Sequence, residues 1–471
     1  MSNSGGIEKI KGCNVVAMAY PGRGHINSML NACTLLASKG VPVTFVVTEE
    51  WLTLIAPGSG SGSFPNLRFL SIPNVIPSEL TRTSDYAGFV EAVYTKMEAP
   101  FDHLLDGLEP PATCIIADTL LSWAIAIADR RNIPVAVLWP MAPSLFSLRY
   151  HYHLLHAHGH RPLTLENFSE RKDEIITYIP GIPAIRLGDL PLLHIGQNQF
   201  SKRIEEAFSW VKTKAQFILF SSFYDLQPHV IDTLRGILPI PIYPIGPSIP
   251  FMLLQDRVTP SADTFSNGSN NTVDMDYLKW LDSQPKNSVL YVSLGSFLSA
   301  SATQMHEIAM GLQSSEVRYL WVARGEALNL QEICGEMGLV VPWCDQLRVL
   351  CHSSVAGFFT HCGWNSILEV IYSGVPMLTF PLFADQFPNS LLIVEDWKIG
   401  LRVKEDIGVE NVVGRDKIAR VVRRLMDGDE GVLQLRERAK QLQRSCQRAI
   451  KKDGSTMTNL HAFIGDLVSL N

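Results

Sequence analysis

Between residues 355 and 380 the chain reads VAGFFTHCGWNSILEVIYSGVPMLTF, and few architectures accommodate that order of segments. Val355 to Thr360 is a short, almost wholly apolar run, the pattern of a strand buried on both faces. His361 to Gly363 make a tight polar turn, a helix follows, and MLTFP reads as a second strand. Buried strands joined through a helix build parallel α/β layers. In such a unit the turn lies at the carboxyl end of a strand and the amino end of a helix. Free backbone N–H groups and the helix dipole bind anions there.

The side chains around that turn add to the cradle. Asn365 and Ser366 are expected at or near the N-cap, with Glu369 one turn further on. Trp343 and Trp364 offer flat apolar faces able to stack on a base and cover a sugar. Asp385 and Gln386, beyond the second strand, supply groups that bind hydroxyls. An anion cradle, a stacking platform and sugar-type acceptors in one segment describe a nucleotide-sugar site. Each residue taken alone also has an ordinary reading: tryptophans anchor cores, His361 suits a strand end, and Asn365 and Ser366 suit caps.

The N-terminus holds a second unit of this kind. NVVAMAY (Asn14 to Tyr20) reads as a buried strand, PGRGH as a turn, INSMLNACTLLASKG as a helix, and VPVTFVV as the next strand. His25 falls at the strand-to-helix turn, where Gly22 and Gly24 let backbone and ligand come close. An imidazole accepts a hydroxyl proton near neutral pH. The turn lacks the G-x-G-x-x-G spacing, so a dinucleotide site has little support here. ATCIIAD ends at Asp118 and a helix follows, so His25 and Asp118 both lie at carboxyl ends of strands, on one rim of an open sheet. A carboxylate bonded to one imidazole nitrogen fixes the tautomer and stabilises an imidazolium. An isolated Asp at a strand end is more often a helix cap.

The segment from Trp343 to Gln386 resembles the signature box of plant family 1 UDP-glycosyltransferases, which opens with Trp, carries His-Cys-Gly-Trp-Asn-Ser and closes with Asp-Gln. The N-terminal and central motifs extend the resemblance over essentially the whole chain. Asp345 after Cys344, and Ala356 before Gly357 where two glycines are usual, depart mildly from the pattern. The resemblance implies a GT-B type fold, two Rossmann-like domains facing across a cleft. It implies that Trp343 stacks on uracil beside Cys344, that Gln346 and Glu369 bind the ribose, and that His361, Asn365 and Ser366 contact the diphosphate. Trp364, Asp385 and Gln386 then hold the sugar, the closing Gln being associated with glucose, and Ser296 in YVSLGS touches the phosphates. His25 and Asp118 become the catalytic dyad of an inverting transfer from UDP-glucose, a co-substrate, with no permanently bound cofactor and no metal.

Composition bounds the rest. At 471 residues the chain is long enough for two domains. The expected division is an acceptor-binding domain at 1–245, a UDP-sugar-binding domain at 246–452, and a final helix at 453–471 packing back on the first domain. The polar stretch from Thr259 to Asp274 reads as a linker. A formal net charge of −6 gives no basic footprint for nucleic acid. No transmembrane stretch or secretory core is visible, and eight scattered cysteines suit a reducing cytoplasm. A monomer is expected. Five histidines between His151 and His160 have no acidic or cysteine partner nearby in sequence and suit a helix beside the acceptor pocket, with a structural or acceptor-contact role. The expected acceptor segments, Pro73 to Tyr94, Pro140 to His160 and Ile179 to Gln199, are apolar and aromatic, which suits a flavonoid, another phenol or a terpenoid. The alternative is a non-catalytic binding protein on the same scaffold, which would be expected to lose His25, Asp118 or the phosphate contacts.

Overall fold

The computed structural model describes residues 12–55, 65–79, 85–160, 170–190, 199–252, 273–295, 300–323, 331, 333, 335–404 and 412–470. The N-terminal apolar runs form β1 (Val15–Met18), β2 (Val43–Thr48), β3 (Leu67–Ile72), β4 (Cys114–Asp118), β5 (Val135–Trp139), β6 (Phe217–Phe220) and β7 (Ile242–Pro244). They make one sheet in the order β3-β2-β1-β4-β5-β6-β7, every pairing parallel. The second half supplies β8 (Val289–Ser293), β9 (Arg318–Val322), β10 (Gly338–Val341), β11 (Val355–Thr360), β12 (Met377–Thr379) and β13 (Gly400–Arg402). Their order is β10-β9-β8-β11-β12-β13, again all parallel.

Parallel strands need crossovers, and helices on both faces leave the central strands no contact with water. Every residue of β1, β2, β4, β5, β6, β8 and β11 is accordingly buried. Burial of a side chain such as Phe45, Ile116 or Phe358, each with no exposed surface, contributes roughly 1.5–3 kcal/mol before chain entropy opposes it. One apolar cluster runs from β1 through Trp364 to Leu460 in the last helix. A second joins Val292 and Phe359 to the helices Ala302–Ser314 and Arg415–Asp427 through Ile308, Leu312, Ile418 and Val422.

In both sheets the chain starts in the middle, builds outward to one side, and then returns to build the other. The order reverses between β1 and β4, and again between β8 and β11. At such switch points the loops at the carboxyl ends diverge and leave a crevice. The helix Ser455–Ser469 returns to the first sheet. Phe463 packs on Phe217 with ring centres 5.5 Å apart, Ser455 bonds Asp225 at 2.7 Å, and Asp466 accepts from the Tyr243 hydroxyl. Among the described residues no helix is long and apolar enough to cross a membrane.

Candidate active site

The first switch point brings the two expected dyad residues together. β1 and β4 are neighbours, Met18 opposite Ala117, so the segments leaving them share one rim. Gly22 is extended and starts the helix Arg23–Ser38, whose first turn carries His25. His25 Nδ1 lies 2.7 Å from Asp118 Oδ2. Asp118 is fully buried while the imidazole keeps 21% of its surface exposed. The other carboxylate oxygen accepts from Leu120 N at 3.0 Å, which fixes the group behind the ring. An ionised carboxylate only accepts, so Nδ1 carries the proton and Nε2 is left as the basic nitrogen. Asp118 is not merely a cap.

The second switch point carries the anion cradle. The helix Trp364–Ser373 starts immediately after β11, and its first internal bond runs from Ile367 N to Gly363 O at 3.1 Å. The N–H groups of Trp364, Asn365 and Ser366 precede that bond and have no helical partner. The N-cap is Gly363, which makes no side-chain bond, rather than Asn365 or Ser366. Two glycines give the His361 ring its place. A Cβ on Gly363 would approach its Nε2 to 2.5 Å, and one on Gly295 to 2.7 Å. Gly295 also holds a φ of +88°, a region open to glycine. Burial pushes the His361 imidazole down to about 4, so it is neutral at pH 7.

The remaining donor-segment residues form a connected wall. Tyr291 donates to Gln346 Oε1 at 3.2 Å and lies 3.4 Å from the Cys344 thiol. Gln346 Nε2 donates to Ser366 Oγ at 2.9 Å and to Glu369 Oε2 at 2.5 Å. Burial pushes Glu369 up to about 7 and Asp385 up to about 6. Asn389 bridges Asp385 Oδ2 at 2.9 Å and Cys362 O at 3.0 Å, holding that carboxylate against the turn. Gln386 turns its Oε1 to the N–H groups of Leu382 and Phe383, at 2.7 and 2.9 Å. Asp345, unusual in the sequence pattern, caps the short helix Gln346–Leu350 by accepting from Arg348 N at 3.1 Å. Trp364 is buried, and among the described residues its indole N–H has no hydrogen-bond partner.

One cavity of about 690 Å³ joins the two halves. Its walls include His25 and all of Trp343, Cys344, Gln346, His361, Trp364, Asn365, Ser366, Glu369, Asp385 and Gln386. Ser296 lies outside the described residues. The opposite wall carries Tyr86, Phe89, Leu120, Trp139, Met141 and Leu145 together with the polar Asn27, Asn31 and Arg149. Leu54, Ile55 and Ile204 also face the cavity, from segments the sequence reading did not single out. Of the third expected acceptor segment, residues 191–198 lie outside the described residues.

None of the five clustered histidines lines the cavity. His151 bonds Ser147 O, His158 stacks on Tyr178 with ring centres 3.8 Å apart, and His160 bonds Glu174 and Tyr178. These three hold local structure, while His153 and His156 are exposed. Among the described residues no group of three His, Cys, Asp or Glu could hold a metal ion.

Comparison with known proteins gives this geometry its context. Residues 263–411 match the family model described as UDP-glucoronosyl and UDP-glucosyl transferase. UDP-glycosyltransferase 87A1 of Arabidopsis thaliana is 45% identical over 458 residues, spanning 96% of this chain and 100% of the relative. The 7-deoxyloganetin glucosyltransferase of Catharanthus roseus is 33% identical, over 97% of this chain and 96% of its own length. Among solved structures, UGT71G1 of Medicago truncatula complexed with UDP-glucose superposes with a TM-score of 0.80 at 25% identity, covering 98% of this chain and 99% of that one. Os79 of O. sativa in complex with UDP gives 0.79 at 26% identity, over 96% and 100%. The two parallel sheets facing one cleft are the GT-B architecture of these enzymes. The chain belongs to the plant family 1 UDP-glycosyltransferases.

Proposed function

We propose that this glycosyltransferase moves glucose from UDP-glucose to a hydroxyl of a small lipophilic plant metabolite, a flavonoid, another phenol or a terpenoid, with inversion at the anomeric carbon. His25 Nε2 takes the acceptor proton as the acceptor oxygen attacks. The bond from the anomeric carbon to the diphosphate oxygen breaks, and UDP leaves. Asp118 stabilises the imidazolium that forms. The N–H groups at the start of Trp364–Ser373 and the positive end of its dipole take up the charge growing on the diphosphate. Trp343 stacks on the base, and Gln346 and Glu369 hold the ribose. Trp364, Asp385 and Gln386 hold the sugar, with Asn389 orienting Asp385. Residues 1–245 and 246–452 act as acceptor and donor domains, and 453–471 fasten the second to the first.

The observation that carries this reading is the 2.7 Å contact of His25 with a fully buried Asp118, at the rim of the cavity whose far side is the donor segment. The test is incubation with UDP-glucose and a pooled panel of phenols, terpenols and carboxylic acids, with products read by mass. A hexose added to a phenol or terpenol bears the proposal out. Transfer to carboxylic acids alone overturns the acceptor assignment, and transfer only when UDP-glucose is replaced by another UDP-sugar in a parallel incubation overturns the donor assignment.

A further inference from the structure

Asn365 does something besides lining the donor site. Its amide spans the gap between the two sheets. Nδ2 donates to Gly24 O at 2.8 Å, and Oδ1 accepts from Ser28 Oγ at 2.9 Å. A backbone carbonyl only accepts, so this pair fixes which way the amide points and leaves Oδ1 for the hydroxyl. Ser28 has no exposed surface, and a Cβ on Gly24 would lie 3.8 Å from Asn365 Nδ2. Both helices meet at their first turns, one carrying His25 and the other the free N–H groups of Trp364 to Ser366. Gly24 is the residue immediately before His25.

We propose that Ser28, Asn365 and the Gly24 carbonyl form a latch that sets the distance between the general base and the diphosphate cradle. Ser28 is then a positioning residue: it touches no substrate and acts through the orientation of Asn365. The latch rests on the reading of His25 as base. Its geometry explains why an amide suits position 365. A carboxylate there would meet the Gly24 carbonyl with a second acceptor and could not hold both partners. Because in-line displacement depends on the alignment of base, acceptor oxygen and anomeric carbon, a shift of about 1 Å across this contact would cost on the order of 100-fold in rate.

The test uses Ser28→Ala in the full chain, compared with the unaltered protein for sugar transfer, UDP affinity and amide hydrogen exchange in the presence of UDP. The expected result is a kcat lower by about 10- to 100-fold, with UDP affinity and Tm unchanged and faster exchange over residues 22–30. An unchanged kcat, a loss of rate matched by an equal loss of UDP affinity, or unaltered exchange over 22–30 would each overturn the latch. If the unaltered protein binds UDP but transfers no sugar, the functional reading fails, while the exchange comparison still decides whether the latch exists.

Discussion

Glu369, His361 and Trp343 all line the cavity, and each answers to its surroundings differently. Burial holds the Glu369 carboxyl near 7, so it is half-protonated in neutral solution. In the proposed ribose contact Glu369 accepts from hydroxyls, and its carboxylate form is the much stronger acceptor. UDP affinity should therefore rise about tenfold between pH 6 and pH 8, and titration calorimetry should find that rise abolished in Glu369→Gln. An equal rise in the variant would mean that another group is responsible. The same shift has a consequence for stability. Because the folded pKa is raised above the ordinary 4.5, the fold binds the extra proton, and stability falls as pH climbs from 4.5 through about 7. Buried His361 has the opposite sign: its contribution is complete above 6.5 and is lost as pH falls through about 4. Trp343, half-buried on the donor wall, should reveal its part simply. Trp343→Ala should weaken UDP binding by about 10- to 100-fold, the worth of one base–aromatic stack, with Tm nearly unchanged. Unaltered UDP affinity would place the base elsewhere.

At the scale of elements, the turns do more than the strands. β11 has the limits expected from its apolar run, Val355–Thr360, and β4 ends as expected at Asp118 but starts at Cys114, two residues into the expected ATCIIAD. A buried parallel strand shows itself as an unbroken apolar run, so local sequence suffices. The same segments gave the helix start within two residues; Asn365, expected at or near the cap, lies two residues past the Gly363 cap and bonds across the cleft instead of back to its own helix. The other end of that helix depends on Gly374, at φ +70°, whose added Cβ would come within 2.6 Å of Gln443 Oε1. Gln443 donates to the last carbonyls, Tyr372 O and Ser373 O, at 3.1 and 2.8 Å. Gly374→Ala should lower Tm by several degrees, because alanine is strained in the left-handed region and would displace that cap. A Tm equal to that of the unaltered protein would show that the turn relaxes freely.

At the scale of the whole molecule, the sequence revealed the fold and the membership of the site more readily than its wiring. Periodicity reports which side chains are buried, and every described residue of the expected donor set does reach the cavity. Periodicity says nothing of partners far along the chain. The Ser28–Asn365 and Asn389–Cys362 bonds, and the packing of Gly295 against His361, join groups that only the closed fold brings together. The apolar wall from Leu54, Ile55 and Ile204 was missed for the same reason: short apolar helix segments look alike whether they face a core or a ligand. The two half-molecules each build an ordinary doubly wound sheet, and function arises where their switch points face one another.

The measurement that bears most directly on that arrangement compares His25→Ala, Asp118→Asn and the double variant for transfer rate and UDP affinity. If the pair acts as one base facing the donor, each single change should lower kcat by about 10² to 10⁴. The double variant should be little worse than His25→Ala, and UDP should bind all three as it binds the unaltered protein. Turnover in His25→Ala equal to that of the unaltered enzyme, or fully multiplicative losses in the double variant, would contradict it.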